Sequence, residues 1–254
     1  MKYLLSSVAV VALALGISSA ARAQSEITLL SPDPIKATIE KLLEGFKAKT
    51  GTQVKVTYGT GVSTRKTVAS GQALDVSLLF APFAEALKTG NIVPGSATVI
   101  ARLRLALAVQ KGAPKPDIST PEAVKRTLLN AKSIISVDPT QGSVGGIALA
   151  ALEKLGITDQ VKPKIKWVQN GGLVQDSVAK GETEIALGPY LSDMRNPGLD
   201  VVGALPPGAS TPVDITGFLC TSVKDSKAAK ALLAYLSSHE VAPVYEAARI
   251  FPAH

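Results

Sequence analysis

The chain has 254 residues, a formal net charge of +7 at pH 7 and 46% hydrophobic residues. Its basic residues are scattered among acidic ones and 4% of its residues are aromatic, whereas nucleic-acid binders need a concentrated basic face, often with stacking aromatics, so no nucleic-acid partner is expected. The single cysteine, Cys220, and the histidines, His239 and His254, match no metal-ligand spacing, so we expect no disulfide, no metal and no cofactor.

The first 23 residues have the three parts of a secretory signal peptide. Lys2 supplies the positive start, a mostly apolar run extends over 4–15, and Ala21-Arg22-Ala23 has the small residues of a cleavage site. This run is shorter than the ~20 residues that a membrane-spanning helix requires. We therefore predict cleavage after Ala23, which places the remaining chain in the periplasm; a retained N-terminal anchor is the alternative.

Strand-like runs alternate with helical runs along the rest of the chain. Apolar periodicity, glycines and prolines predict strands and helices in alternation. The strands are 27–31, 53–58, 75–80, 103–110, 133–137, 164–168, 184–188, 200–205 and 214–223, and the helices are 34–50, 82–89, 121–130, 143–155, 173–180, 226–238 and 241–249. This alternation predicts an α/β fold with parallel-rich sheets and a ligand at the carboxyl ends of the strands.

The order and spacing of several segments resemble the periplasmic solute-binding proteins of the molybdate-binding type. The segments are ITLLS (27–31), LEGFKAKTG (43–51), VKVTYGTG (54–61), ALDVS (73–77), APKPDIST (113–120) and KGETEI (180–185). This resemblance implies the two-lobed type 2 periplasmic binding protein fold, with a ligand cleft between α/β lobes joined by two crossing strands. Chain order places lobe 1 at 24–105 plus 206–254 and lobe 2 at 106–205.

The same resemblance implies the partners. They are a small anionic ligand and an ABC permease in the inner membrane, and the receptor itself is expected to be a monomer.

The loop that follows the first strand contains the first candidate contact. Ser31 occupies the position at which molybdate binders carry a ligand-binding serine, so its hydroxyl is expected to donate to the ligand. Asp33, two residues later, is a poor neighbour for an oxyanion. The alternative is that this loop caps the following helix, with Pro34 at the first helical position.

The second loop is the strongest candidate. Its glycines allow close approach of the backbone, its hydroxyls donate, and its arginine can grip a carboxylate in bidentate fashion. The residues are Gly59, Thr60, Gly61, Ser63, Thr64 and Arg65. The alternative is a solvated helix start with Arg65 and Lys66 facing water. Molybdate binders usually lack this Arg-Lys pair, so the set favours an organic di- or tricarboxylate over a metal oxyanion.

Lobe 2 contributes further candidates after its strands. Gln141 and Ser143 lie in a glycine-containing loop before a predicted helix, where Ser143 has the alternative role of helix cap. Tyr190 falls near the position of a ligand-contacting tyrosine in the resembled family, and ordinary packing between the lobes is its alternative.

Two functions fit these residues. No Ser-His-Asp set or Cys-His pair is visible in the sequence, so the first hypothesis is a receptor that captures a small anion for an ABC-type transporter. The second is an isomerase of an unsaturated tricarboxylate, because this branch of the family also resembles aconitate isomerase. Such a reaction needs a base, and Asp33 or Asp138 would qualify if burial raised its pKa; capping or bracing a loop is the alternative for both.

Overall fold

The structure is a computed structural model that describes residues 26–191 and 196–253. The predicted signal peptide lies outside the described residues. Within the described ranges, no helix is both long enough and apolar enough to span a bilayer.

Six strands form the first sheet. They are β1 (Glu26–Pro32), β2 (Gln53–Gly59), β3 (Val76–Phe80), β4 (Thr98–Leu103), β10 (Val213–Leu219) and β11 (Phe251–Pro252). Their spatial order is β11-β4-β10-β3-β1-β2. Strand β1 pairs in parallel with β2 and β3, whereas β10 is antiparallel to β3 and β4.

Five strands form the second sheet. They are β5 (Leu105–Gln110), β6 (Ile134–Val137), β7 (Ile165–Val168), β8 (Ile185–Pro189) and β9 (Leu199–Ala204), in the order β7-β6-β8-β5-β9. Strand β6 is parallel to β7 and β8, and β5 is antiparallel to β8 and β9. Both sheets are therefore mixed and not parallel-rich as predicted, because the strands next to the crossings, β5 and β10, enter their sheets in antiparallel orientation.

Helices follow most of the strands. With the first sheet lie α1 (Lys36–Thr50), α2 (Gly61–Ala69), α3 (Ala84–Lys88), α8 (Ser226–Leu236) and α9 (Ala242–Ala247). With the second lie α4 (Pro121–Asn130), α5 (Ser143–Lys154), α6 (Thr158–Val161) and α7 (Gly171–Ala179). Local chemistry explains their ends: Thr120 caps α4 with Pro121 at its first position, and Gly51 ends α1 with a left-handed φ of 75°.

Each sheet has its own hydrophobic core. Helix α1 packs Ile39, Leu42 and Phe46 into the first core, and α5 packs Ile147 and Leu152 into the second. The three α1 positions recur every three or four residues, which places them on one helix face; the buried residues of α5 follow the same spacing when Val144, Ala148 and Ala151 are included.

The chain crosses between the sheets twice. The first crossing is at Arg104, between β4 and β5, so the strand predicted over 103–110 corresponds to β5, and β4 was not predicted. The second follows β9 and leads to β10. The Leu205 N–H donates to the Leu105 carbonyl at 2.8 Å, and Arg104 Nη2 donates to the Leu205 carbonyl at 2.9 Å, which ties the crossings together. The lobe division at 105/106 and 205/206 remains a proposal, and this distribution of strands supports it.

Candidate functional site

A cavity of about 360 Å³ lies between the two sheets. Its lining comes from residues at the carboxyl ends of β1, β2, β3, β6, β7 and β8 and from the first turns of α2, α5 and α7. The first N–H groups of a helix have no partners inside the helix, and they carry the positive end of its dipole. Three such helix starts around one space suit an anionic ligand.

The turn that opens α2 contributes Thr60 and Gly61 to the lining. Thr60 caps the helix by accepting a hydrogen bond from the Ser63 N–H at 3.0 Å. The hydroxyls of Ser63 and Thr64 donate to the carbonyls of Thr60 and Gly61, at 3.0 and 3.1 Å. Gly59, Ser63 and Thr64 lie outside the lining formed by the described residues, so their visible role is to shape this turn.

Arg65 connects the turn to the second sheet. Its Nη1 donates to Ser143 Oγ at 2.7 Å and lies 3.5 Å from the Phe80 carbonyl oxygen. Burial lowers the pKa of Arg65 from its ordinary value, against the opposing effect of Glu85, and the guanidinium remains protonated at neutral pH. A direct contact between Arg65 and a carboxylate stays a prediction, since here the guanidinium bonds the neighbouring helix.

The turn that opens α5 brings Ser143 to the cavity. Gly142 is the N-cap and Ser143 the first helical residue, so the alternative role of Ser143 as a cap is wrong. At Gly145 a Cβ atom would lie 2.0 Å from the Val137 carbonyl oxygen, so the first turn of α5 packs directly on the preceding backbone. Gln141 is exposed, and its Nε2 lies 3.4 Å from Thr140 Oγ1, away from the lining that the described residues form.

Asp138 braces this same loop. Its Oδ1 accepts hydrogen bonds from the Thr140 hydroxyl at 2.6 Å and the Thr140 N–H at 2.7 Å. These bonds hold the pKa of Asp138 below its ordinary value. The bracing alternative for Asp138 is therefore supported, and its role as a base stays a prediction, since Asp138 lies outside the lining that the described residues form.

After β1, the polar side chains that line the cavity within the described residues are Asp33 and Lys36 and not the expected Ser31. Ser31 is fully buried, and among the described residues its hydroxyl has no hydrogen-bond partner and no place in the lining. Asp33 begins a 3-10 turn without capping it, because the N-cap is Pro32, so the predicted cap is wrong. Asp33 and Lys36 instead line the cavity. The Lys36 Nζ also lies 3.8 Å from a Glu40 carboxylate oxygen.

The segments after β7 and β8 complete the polar part of the lining. Asn170 caps α7 by accepting a hydrogen bond from the Leu173 N–H at 3.1 Å, and Gln169 and Gln175 lie beside it in the cavity wall. The sequence placed Gln169 and Asn170 after a strand but did not single them out as ligand contacts. Their position at a strand end was the available signal.

Tyr190 packs at the crossing side of the molecule. Its ring lies 5.2 Å from the guanidinium carbon of Arg249, and its N–H donates to the Arg104 carbonyl at 2.8 Å. It lies outside the lining that the described residues form. Its predicted ligand contact remains a prediction, and the structure supports the packing alternative.

Much of the cavity wall is apolar. The apolar side chains come from strand ends and helix starts of both sheets: Phe80, Val137, Val144, Val174, Leu187 and Leu191. In the sequence these are ordinary apolar residues, and hydrophobicity alone does not distinguish a core position from a cavity wall. Apolar walls with a few polar groups are typical of small-molecule sites.

Metal binding finds no support in the described ranges. Residues 26–191 and 196–253 contain no group of three or more His, Cys, Asp or Glu side chains that could hold a metal ion.

The chain has two α/β units with a cleft between them, which is the two-lobed architecture of periplasmic binding proteins. The predicted fold class is therefore confirmed. The chain belongs to the family of bacterial extracellular solute-binding proteins, whose family model matches residues 27–248. This membership confirms the resemblance found in the sequence.

Solved structures share this fold at low sequence identity. The substrate-binding domain assigned to a molybdenum ABC transporter of Clostridium difficile has a TM-score of 0.75 and 16% identity, and the match covers 91% of this chain and 100% of that one. The periplasmic molybdate-binding protein of Azotobacter vinelandii has a TM-score of 0.71 and 17% identity, covering 90% and 100%. At these identities the likeness shows the fold alone.

One relative is named as an enzyme, and its sequence is more similar to this chain than those of the two solved structures above. Aconitate isomerase from a Pseudomonas species is 28% identical over 240 residues, which cover 92% of this chain and 90% of the relative.

Proposed function

We propose that this solute-binding protein captures a small organic anion, such as a di- or tricarboxylate, and hands it to an ABC permease of the inner membrane. The observation that carries the proposal is the meeting of three helix N-termini, from both sheets, in one cavity. Lys36 adds a positive side chain to the same wall, and Ser143 adds a hydroxyl.

The size and the walls of the cavity favour an organic anion over a tetrahedral oxyanion. A volume of about 360 Å³ falls within the range of roughly 300–1,000 Å³ that is usual for small organic ligands. Apolar walls such as Phe80 and Leu187 suit a hydrocarbon body, which molybdate and sulfate lack. The helix N-termini then serve the carboxylate ends of the ligand.

The place of action proposed here is the periplasm. Membership of the extracellular solute-binding family supports export, and the N-terminal pattern with cleavage after Ala23 supplies the route. Mass spectrometry of the secreted protein tests this directly, since the proposal requires a mature chain that starts at Gln24.

The test of ligand class is calorimetric titration of the refolded, ligand-free secreted protein with citrate, cis- and trans-aconitate, molybdate and sulfate. Binding of one or more carboxylates without binding of the oxyanions is the expected result. Tight molybdate or sulfate binding without carboxylate binding would overturn the choice of an organic anion.

A second candidate function is isomerisation of an unsaturated tricarboxylate in the same cleft. The similarity to aconitate isomerase favours it, and Asp33 is a carboxylate in the cavity wall that can act as the base. In this reaction the base removes a proton from a carbon next to a carboxylate, the double bond shifts, and a proton returns to the other allylic carbon. Lys36 and the helix N-termini would stabilise the charge that develops.

Proton NMR in D₂O distinguishes the two candidates. The isomerase predicts interconversion of cis- and trans-aconitate with deuterium incorporation, and it predicts that Asp33→Asn loses turnover while binding persists. The receptor predicts binding with no change in the aconitate spectra over the same time.

A further inference from the structure

Arg65 and Ser143 form a hydrogen bond between the two halves of the candidate site. Arg65 belongs to α2, beside the first sheet, and Ser143 opens α5, beside the second. The distance from Nη1 to Oγ is 2.7 Å, and Ser143 is 8% exposed while it lines the cavity. In the described part of the chain, Arg65 lies behind this serine and not in the cavity wall.

The direction of this bond determines what the serine hydroxyl can do. A guanidinium has donors and no acceptor, so Ser143 Oγ accepts the hydrogen bond and its own O–H remains available as a donor. Acceptance from a cation polarises the hydroxyl and strengthens the bond that it donates. The hydroxyl also lies beside the N–H groups of Ser143 and Val144, the first two of α5, which helix geometry leaves without an acceptor inside the helix, whereas the Gly145 N–H already donates to the Gly142 carbonyl at 3.1 Å. Arginine and helix start together therefore prepare one donor site for an anion.

We propose that Arg65 is a positioning residue, which holds the Ser143 hydroxyl so that it donates to an anionic oxygen of the ligand. The inference rests on the proposed function, because it requires an anion in the cavity. It differs from the direct grip expected from the sequence, since Arg65 acts here through Ser143. The ligand group that fits is a carboxylate, which accepts from the hydroxyl and from the neighbouring N–H groups.

Gly61 makes this arrangement sterically possible. A Cβ atom at position 61 would lie 2.2 Å from Ser143 Oγ and 2.8 Å from Ser143 Cβ. The starts of α2 and α5 thus approach so closely that only a glycine fits between them. Because the two helices belong to different sheets, a rotation that opens the cleft separates Arg65 from Ser143 and dismantles the donor.

A double-mutant cycle tests the inference in the purified secreted protein. Affinities for citrate and trans-aconitate are measured by calorimetry for Arg65→Ala, Ser143→Ala and the double variant. We expect each single variant to bind about tenfold more weakly or worse, as for loss of a hydrogen bond to a charged group. The double variant should be no weaker than the weaker single variant, because both substitutions remove the same donor.

Further variants test whether Arg65 affects ligand affinity by positioning Ser143, by its charge alone or by packing. Lys66→Ala removes the neighbouring charge from an exposed position and should retain the wild-type affinity. Arg65→Lys keeps a charged donor and should recover part of the affinity that Arg65→Ala loses, whereas Arg65→Met keeps an apolar stem without a donor and should not; equal recovery in both would indicate a packing role. Thermal unfolding without ligand shows whether each variant is folded, and Arg65→Gln replaces Arg65→Ala in the cycle if the latter is not.

The outcomes separate this inference from the function on which it rests. If the affinity losses of the two single variants multiply in the double variant, Arg65 contacts the ligand independently of Ser143. If Arg65→Ala keeps the wild-type affinity, Arg65 takes no part in binding. Either result overturns the inference. If the wild-type protein binds none of the anions, the proposed function itself fails.

Discussion

Gly61 and Ser143 face each other across the cleft at a distance that leaves no room for a methyl group at position 61. They open α2 and α5, which belong to different sheets. The nearest atoms are parts of a short serine side chain held by Arg65, so they have little freedom to move aside. The close approach of the two sheets at this point therefore depends on a glycine.

Gly61→Ala is expected to weaken anion binding by about 1–3 kcal/mol, the usual cost of overpacking. The added methyl group keeps α2 and α5 apart, so fewer molecules close around the ligand. Calorimetry measures the affinity, and small-angle scattering of the ligand-saturated protein should show a larger radius of gyration than in the wild type. Gly146→Ala is the matched control, because a Cβ there meets no atom within 4 Å. Equal affinities in Gly61→Ala and the wild type would contradict the steric argument.

Gly145 and Gly146 provide a test of how α5 is seated. A Cβ at Gly145 would lie 2.0 Å from the Val137 carbonyl oxygen, and backbone atoms cannot rotate away. Gly145→Ala should therefore lower the free energy of unfolding by about 1–3 kcal/mol. Gly146→Ala should raise it by about 0.5–1 kcal/mol, since alanine favours a helix interior over glycine. Urea denaturation of both variants measures the difference, and a shift of the same sign in both would refute this packing.

Asp75 should make the stability of the first sheet depend on pH. The carboxylate is 3% exposed and accepts hydrogen bonds from the Thr28 N–H, the Thr28 hydroxyl and the Lys224 N–H, at 2.7, 2.8 and 2.7 Å. Burial disfavours the charged form, but these hydrogen bonds outweigh it and hold the pKa of Asp75 below its ordinary value. The contribution is present above the pKa of the unfolded chain, about 4, and is lost as the pH falls through the lower folded pKa.

Asp75→Asn is expected to lower the free energy of unfolding by about 1–3 kcal/mol at pH 7, because an amide cannot accept all three hydrogen bonds. Urea denaturation at several pH values measures this. The difference from wild type should shrink below about pH 4, where the carboxylate of the unfolded chain becomes protonated, and should disappear as the pH falls through the lower pKa of the folded protein. Asp159→Asn removes an exposed carboxylate and should leave stability nearly unchanged. A difference between wild type and Asp75→Asn that stays constant down to pH 2 would disprove the assignment.

Tyr190→Phe is expected to leave ligand affinity unchanged. The Tyr190 ring packs against Arg249, outside the lining formed by the described residues, so the loss of its hydroxyl removes no ligand contact. Phenylalanine keeps the aromatic face that the guanidinium needs. Calorimetry with the best-bound carboxylate checks this. A loss of tenfold or more would restore the ligand contact expected from the sequence.

Local patterns predicted most elements but not the changes of sheet. Alternation and helix caps are visible within a few residues, as at Thr120 and Pro121. The break at Arg104 has no such signal, because its neighbours Leu103 and Leu105 are both buried strand residues. Pairing with distant strands decides to which sheet each leucine belongs. The two-residue β11 and the one-turn α6 were missed, since they are too short to show a period, and β4 and α2 were also absent from the predicted strands and helices.

The candidate site was predictable as a set of loops and not as a set of side chains. Loops at strand ends carry Thr60, Gly61 and Ser143, and these reach the cavity. Residue type suggested Ser31 and Thr64 as donors, yet both are fully buried. The bond between Arg65 and Ser143 joins segments 78 residues apart, so neither local pattern contains it.

The tie between the crossings at Arg104 and Leu205 has a mechanical consequence. Because the two crossings lie side by side, the easiest motion of one half relative to the other is a rotation about an axis through them, as in hinge closure. In such a rotation, residues near the axis are displaced little, whereas the helix starts that line the cleft are displaced most. A ligand that contacts the helix starts of both halves therefore binds where a small rotation produces the largest change in the distance between its partners.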